Sequence, residues 1–205
     1  MTATPPSAAP DPVLLRFLDA HGFVAEGQGD VRFMPLAGGV SSDIWRVDLP
    51  DGRTICIKRA LPKLKVAADW TAPVSRNAFE WAWLGFAARH VPDAVPRPLA
   101  HDAGAGLLAM EFLAPDRHPV WKQQLLAGRI EPETAAAVGG VLAVLHTASS
   151  ADPGLGRDFD SDANFHALRL EPYLLATARV HPPLAPALER LAARTAATRV
   201  ALVHG

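Results

Sequence analysis

Three features of this sequence, met in chain order, could together hold phosphate groups. A glycine-rich turn runs through Gly38, Gly39, Val40, Ser41 and Ser42, and Lys58 and then Glu80 follow it. A turn with little side-chain bulk lets backbone N–H groups approach phosphate oxygens. Phosphoryl transfer also needs a cation on those oxygens and a carboxylate that holds the cation in place. The order of the three features therefore predicts a phosphate-binding site suited to phosphoryl transfer.

Each feature taken alone has a simpler explanation. Gly38-Gly39 is also typical of a hairpin turn, Lys58 could be a charge on an edge strand, and Glu80 could be a solvated helix position. However, lysine occurs only at positions 58, 63, 65 and 122, and the interior of a strand disfavours it. The aromatic neighbours of Glu80 also leave little of its helix exposed. The fixed order of all three features favours the phosphate site.

The elements that must position these residues form a small antiparallel sheet with one helix packed on it. Strands are predicted near residues 31–33, 44–49 and 54–59 and on both sides of the turn at 102–106, with helices at 12–21 and 73–90. Alternation places Ile55 and Ile57 on one face of the third strand and Cys56 and Lys58 on the other. This pattern is typical of an α+β protein.

The second half of the chain is predicted to be mostly helical. Helices are expected at residues 119–127, 131–147, 171–178 and 184–198, and a final apolar strand at 199–203. Pro132 and Pro172 are typical of first helical turns. We therefore predict two domains: residues 1–113, which include a flexible leader at 1–10, and residues 114–205.

Composition excludes several classes of function. The formal net charge of −1 gives no electrostatic basis for binding nucleic acid or an anionic membrane. A single cysteine, Cys56, rules out an intramolecular disulfide framework and is typical of a reducing compartment. No apolar run approaches the roughly 20 residues of a membrane-spanning helix, and the first ten residues do not follow the order of a signal peptide. We expect a soluble, cytoplasmic protein.

Several segments resemble the aminoglycoside phosphotransferase-like superfamily, which includes choline and methylthioribose kinases. They are the run from Gly38 to Trp45, the Ile57-Lys58 strand, Glu80, the helix end at Leu145-His146 and the closing run from Ala201 to Gly205. The resemblance covers nearly the whole chain after Val31. It implies a protein-kinase-like fold with an N-terminal sheet lobe, a helical C-terminal lobe and ATP as the phosphoryl donor.

The same resemblance implies a role for each matching residue. Lys58 would contact the α- and β-phosphates of ATP, Glu80 would pair with Lys58, and the turn at residues 38–42 would cover the phosphates. A hinge made of Met110, Glu111, Phe112 and Leu113 would hydrogen-bond the adenine through its backbone. A plain buried strand is the alternative explanation of that segment.

The resemblance also implies residues that this sequence does not contain. The closing His204-Gly205 matches the approach to the family's His-Gly-Asp catalytic loop, so the catalytic aspartate is expected directly after Gly205. The asparagine and aspartate that bind Mg²⁺ in such enzymes would come later still. No residue of this sequence is therefore assigned a catalytic role, and we expect the chain to be an N-terminal part of a longer enzyme that is inactive alone.

The acceptor would be a hydroxyl group of a small molecule. In the resembled family, helices before the catalytic loop help to form the acceptor pocket, so His166, Arg169 and Tyr173 are candidates for contacting it; a helix surface without a ligand is the alternative. Two other functions stay open: a nucleotide-binding module without catalysis, and an interaction protein. In the second, the aromatic helix with Phe79, Trp81, Trp83 and Phe86 would bind a partner.

Overall fold

The computed structural model describes residues 11–25, 30–37, 39–67 and 69–203. The predicted leader, Gly38 and the closing His204-Gly205 lie outside these ranges. Among the described residues, no helix is both long and apolar enough to cross a membrane.

Five antiparallel strands form the sheet that the sequence predicts. They are β1 (Arg32–Pro35), β2 (Ser42–Asp48), β3 (Thr54–Ala60), β4 (Pro98–Asp102) and β5 (Leu107–Glu111). Their spatial order is β1-β2-β3-β5-β4, and all four neighbouring pairs are antiparallel. The strand that carries Lys58 is therefore central, so the explanation of this lysine as an edge-strand charge is wrong.

The first helix, α1 (Pro12–Ala20), covers one face of the sheet. Asp11 caps it by accepting a hydrogen bond from the Val13 N–H at 2.9 Å, and Pro12 occupies the first turn, where a missing N–H costs nothing. The buried residues of α1 pack against the inward face of β2, β3 and β5, as the predicted alternation requires. This core contains Leu14, Phe17, Leu18, Val47, Ile55, Ile57, Leu107 and Ala109.

The second helix, α2 (Arg76–His90), packs on the opposite face of the sheet. Asn77 is buried at the start of this helix, and its Oδ1 lies 2.8 Å from Nε2 of His101 on β4. The ring of Trp81 stacks on that of His101, with centroids 5.3 Å apart. These contacts fix α2 against the same sheet face from which the Cys56 and Lys58 side chains leave.

The C-terminal half is helical, as predicted. Its helices are α3 (Trp121–Leu126), α4 (Pro132–Ser150), α5 (Leu155–Asp158), α6 (Asp162–Phe165), a π-helical segment (His166–Leu175), α7 (Ala176–Val180) and α8 (Ala185–Ala197). Pro132 begins α4 as expected. Pro172 instead lies inside the π-helical segment, so the predicted helix start at residue 171 is wrong. The wider π turn follows an i to i+5 bonding pattern and accommodates a residue that has no N–H to donate.

The predicted strand at residues 199–203 is also wrong, because no strand forms there. The Leu202 N–H donates to the Ser149 hydroxyl at 3.0 Å, and the Leu202 side chain packs near Leu145 and Phe86. A backbone N–H that is removed from water needs a hydrogen-bond acceptor. For Leu202 this acceptor is the Ser149 side chain of α4, and not the carbonyl of a neighbouring strand. The α+β, kinase-like fold class is confirmed.

Candidate functional site

Lys58 and Glu80 form an ion pair between the sheet and α2. Lys58 lies opposite Ile44 of β2 and Leu108 of β5, and its Nζ donates to Glu80 Oε1 at 2.5 Å. The two side chains keep 22% and 34% of their surface exposed. A charge-assisted hydrogen bond of this kind holds the ammonium in one place, and the remaining exposure leaves room for a ligand to reach it.

Cys56 lies two residues before Lys58 and therefore on the same face of β3. It is buried opposite Met110 of β5. Burial raises the pKa of the Cys56 thiol to about 11, with the Glu80 charge adding to the rise and the Lys58 charge opposing it. A thiol with such a pKa is neutral at physiological pH. Cys56 therefore behaves as a small apolar side chain next to the ion pair.

The glycine-rich turn is described from Gly39 onward, since Gly38 lies outside the described ranges. Gly39 has φ +82°, a left-handed conformation that other residues rarely adopt. Beyond it, Val40 is exposed and Ser42 is buried as the first residue of β2. The backbone of the turn therefore changes direction at a glycine, as a close approach to a ligand requires.

The residues between β3 and α2 form a second layer against this turn; we call residues 61–67 and 69–72 the connecting segment. The Leu61 N–H donates to the Ser41 carbonyl at 3.0 Å and the Lys65 N–H to the Val40 carbonyl at 2.7 Å. The Lys65 ammonium also lies 2.6 Å from Asp43 on β2. These bonds fix the backbone of the turn from one side.

The predicted hinge consists of the last two residues of β5, Met110 and Glu111, and the two residues that follow it. The Glu111 N–H already donates to the Arg97 carbonyl at 2.9 Å, so it is not free for a ligand. The ring of Phe112 lies 5.2 Å from the Arg46 guanidinium carbon. Leu113 is exposed, and within the described ranges its backbone makes no hydrogen bond to another backbone group. The same holds for the Phe112 backbone, and the role of residues 110–113 as a hinge stays a prediction.

Comparison with protein families decides the family of this chain. The model of the phosphotransferase enzyme family, APH, matches residues 32–205. The chain belongs to this family. The match begins at β1 and includes the turn, Lys58, Glu80 and the hinge, so the resemblance inferred from the sequence is confirmed.

Two further comparisons add little to the family assignment. Among solved structures, the chain is similar to a protein described as a putative fructosamine-3-kinase from Thermobifida fusca YX-ER1, at 22% sequence identity and a TM-score of 0.40. That match covers 67% of this chain and 39% of the other, so the chain spans well under half of that protein's length. A search of the curated proteins found no match.

The predicted acceptor residues of this phosphotransferase-family chain all lie in the π-helical segment. Arg169 donates to the neighbouring Leu168 carbonyl at 2.9 Å, and Tyr173 is exposed. None of the ion pairs and side-chain hydrogen bonds of the described residues joins His166, Arg169 or Tyr173 to Lys58 or Glu80. Their role as acceptor contacts stays a prediction.

Sequence reasoning missed Trp70, which links the two halves of the chain. Its indole N–H donates to the Ala167 carbonyl of the π-helical segment at 3.0 Å. Trp70 belongs to the connecting segment, which is paired internally through the Lys63–Thr71 bridge and a Leu64 N–H to Trp70 carbonyl bond of 2.9 Å. A tryptophan in an apparently irregular stretch was the one signal of this contact in the sequence.

Two open cavities lie away from the ion pair. One of about 860 Å³ is bounded by the end of α4, α5 and residues 195–203, and one of about 380 Å³ lies between α2 and α4. Neither is lined by Lys58 or Glu80. The described residues also contain no cluster of three or more His, Cys, Asp or Glu side chains able to hold a metal ion.

The burial of Cys56 leads to a prediction about its reactivity. The thiolate is the reactive form, and a rise of the pKa from 9.0 to about 11 leaves roughly 100-fold less thiolate at pH 8. Alkylation at pH 8 should therefore be at least about 100-fold slower in the folded chain than in urea. Because Cys56 is the sole cysteine, Cys56→Ser provides the blank. Equal rates in the folded and unfolded chain would show that the thiol is neither buried nor shifted.

Proposed function

We propose that this chain is the ATP-binding part of a small-molecule kinase that phosphorylates a hydroxyl group of a soluble metabolite in the cytoplasm. The observation that carries the proposal is the Lys58–Glu80 ion pair at 2.5 Å on the sheet face that the glycine-rich turn adjoins. A positive charge held by a carboxylate next to such a turn suits the oxygens of a triphosphate. Membership of the phosphotransferase family supports the same chemistry.

In this proposal residues 1–113 are the nucleotide-binding lobe and residues 114–205 part of the helical lobe. Lys58 neutralises the α- and β-phosphate oxygens, and Glu80 keeps its ammonium in place. Backbone N–H groups of residues 38–42 cover the phosphates, and the hinge at residues 110–113 binds the adenine edge through its backbone. Trp70 joins the connecting segment to the π-helical segment, where His166, Arg169 and Tyr173 would contact the acceptor.

The catalytic step draws on residues that the family places after Gly205. An aspartate there would accept the proton of the acceptor hydroxyl as its oxygen attacks the γ-phosphorus, and ADP would leave. Mg²⁺, when bound, would neutralise the charge that develops on the phosphate oxygens. The contribution of residues 1–205 is binding and orientation of the donor, which forms a large part of catalysis in phosphoryl transfer.

Calorimetric titration with ATP, with and without Mg²⁺, tests the proposal. ATP is expected to bind, and a concentration of 100 times Kd should raise the free energy of unfolding by about 2.7 kcal/mol. Transfer of γ-phosphate to a mixture of hydroxyl metabolites is then measured in the same preparation. ATP binding without transfer is the result expected of residues 1–205 alone, because the aspartate that accepts the hydroxyl proton would follow Gly205, and no ATP binding would contradict the proposed function.

A further inference from the structure

Arg76 occupies an unusual position in the first turn of α2, the helix that carries Glu80. Its guanidinium is half-buried, and one of its terminal nitrogens, Nη1, donates to the carbonyls of Ala72 at 3.1 Å and Pro73 at 2.8 Å. The other, Nη2, donates to the carbonyls of Leu61 at 2.6 Å and Ser41. Two terminal nitrogens carry four N–H groups, so all four have a backbone acceptor.

These four carbonyls belong to three parts of the proposed site. Ser41 is in the glycine-rich turn, and Leu61 directly follows β3 and begins the connecting segment. Ala72 ends that segment, and Pro73 leads from it into α2. One side chain therefore joins the turn to the strand of Lys58 and to the helix of Glu80. A rigid planar fork can do this, whereas the compact ammonium of a lysine has three donors at a single point.

The orientation of the anchored carbonyls decides where the N–H groups of the turn point. The Ser41 carbonyl is held by Arg76 and by the Leu61 N–H, and the Val40 carbonyl by the Lys65 N–H. No peptide bond in the described chain is cis, and in a trans peptide the N–H points away from the preceding carbonyl. The N–H groups of Ser41 and Ser42 therefore both point away from the connecting segment, a pattern that can receive phosphate oxygens.

Charge supports the same role. The four partners of Arg76 are neutral carbonyls, and no carboxylate of the described residues lies within ion-pair distance of it. Burial lowers the pKa of Arg76, and the charge of Glu80, one turn further along α2, opposes this. An arginine remains protonated even so. Its guanidinium thus brings a positive charge beneath the turn without a carboxylate in direct contact, while Glu80 stays paired with Lys58.

We propose that Arg76 is a positioning residue for the triphosphate: it fixes the glycine-rich turn with its N–H groups toward the phosphates and couples that turn to the Lys58–Glu80 pair. This inference rests on the proposed function. It assigns Arg76 to the phosphates and not to the adenine, which the hinge would bind near the opposite end of β3, where Glu111 pairs with Ile55. Loss of Arg76 should therefore weaken binding of a triphosphate and leave binding of the bare nucleoside unchanged.

The test compares dissociation constants for ATP and adenosine in the full chain and in Arg76→Met. The variant is expected to raise Kd for ATP about tenfold and to leave Kd for adenosine unchanged. A tenfold change is what the loss of the hydrogen bonds of one charged group is expected to cost. Arg89→Met is the matched control, because Arg89 lies exposed near the other end of α2, and it should change neither constant. A general loss of structure would weaken both ligands equally.

Arg76→Lys keeps the charge and serves if Arg76→Met does not fold cooperatively. It should still raise Kd for ATP about threefold relative to adenosine, since an ammonium cannot reach all four carbonyls. An unchanged ratio of the two dissociation constants in either folded variant overturns the inference. If the unsubstituted chain binds adenosine as tightly as ATP or more tightly, the proposed function itself fails. That outcome is measured without any Arg76 variant, so it is distinguishable from failure of the inference about Arg76.

Discussion

Lys58→Ala is expected to weaken ATP binding about 100-fold while lowering the melting temperature of the ligand-free chain by no more than about 3 °C. Hydrogen bonds to charged groups contribute about 1.5–3 kcal/mol each, and every 1.4 kcal/mol is tenfold in affinity. Lys58 would make such bonds to two phosphates at once. The ion pair with Glu80, by contrast, is partly exposed, and pairs of that kind contribute about 1 kcal/mol or less to stability.

The measurement is Kd for ATP by calorimetry together with a thermal melt without ligand. Lys122→Ala is the matched control, since Lys122 is exposed on α3 and should leave both quantities unchanged. Glu80→Gln should weaken ATP binding less than Lys58→Ala, because the ammonium remains and loses only the group that orients it. If Lys58→Ala binds ATP as tightly as the unsubstituted chain, the ion pair is structural and the nucleotide assignment is wrong.

The sheet and the face on which Lys58 lies were predictable because they depend on local periodicity. Alternation along β3 placed Ile55 and Ile57 in the core and Cys56 and Lys58 on the opposite face, and the structure has this arrangement. A helix that packs on that second face must present some residue to Lys58, and Glu80 is the acidic residue that does so. Alternation predicted the faces of β3, whereas the pairing with Glu80 was predicted from the carboxylate that phosphoryl transfer needs beside its cation and from the family resemblance.

The roles of Arg76 and Trp70 were not predictable from the sequence, because their partners are backbone carbonyls of distant segments. Arg76 donates to Ser41 and Leu61, and Trp70 donates to Ala167. Every residue has a carbonyl, so sequence carries no signal of which one is used. Sequence showed only that an arginine and a tryptophan stood near a predicted helix start.

The errors in the C-terminal half have the same origin in non-local structure. An apolar run such as residues 199–203 becomes a strand only when another strand lies beside it, and in the structure Leu202 meets Ser149 of α4 instead. Pro172 favoured a helix start because prolines are common there. In the structure the helical segment instead continues past Pro172, where it packs against α8. Its π-type hydrogen bonding has no sequence signature of its own.

Leu18→Ala is expected to do the opposite of Lys58→Ala, lowering stability while leaving ATP binding intact. Leu18 is 0% exposed in the core between α1 and the sheet. Truncation of a fully buried leucine costs about 2–5 kcal/mol, because it removes apolar contact and leaves a cavity. In a chain of this size, a loss of about 3 kcal/mol lowers the melting temperature by roughly 10 °C.

Binding should survive because α1 packs on the sheet face opposite to Lys58, and substitutions without shared partners act independently. Kd for ATP, measured at a temperature where Leu18→Ala remains folded, should match that of the unsubstituted chain. Leu15→Ala on the same helix is the control: Leu15 is 40% exposed, so its truncation should change the melting temperature far less. A weakened Kd in Leu18→Ala would mean that α1 and the ion pair act through the sheet as one unit, so that the two faces of β3 could not be assigned separate roles.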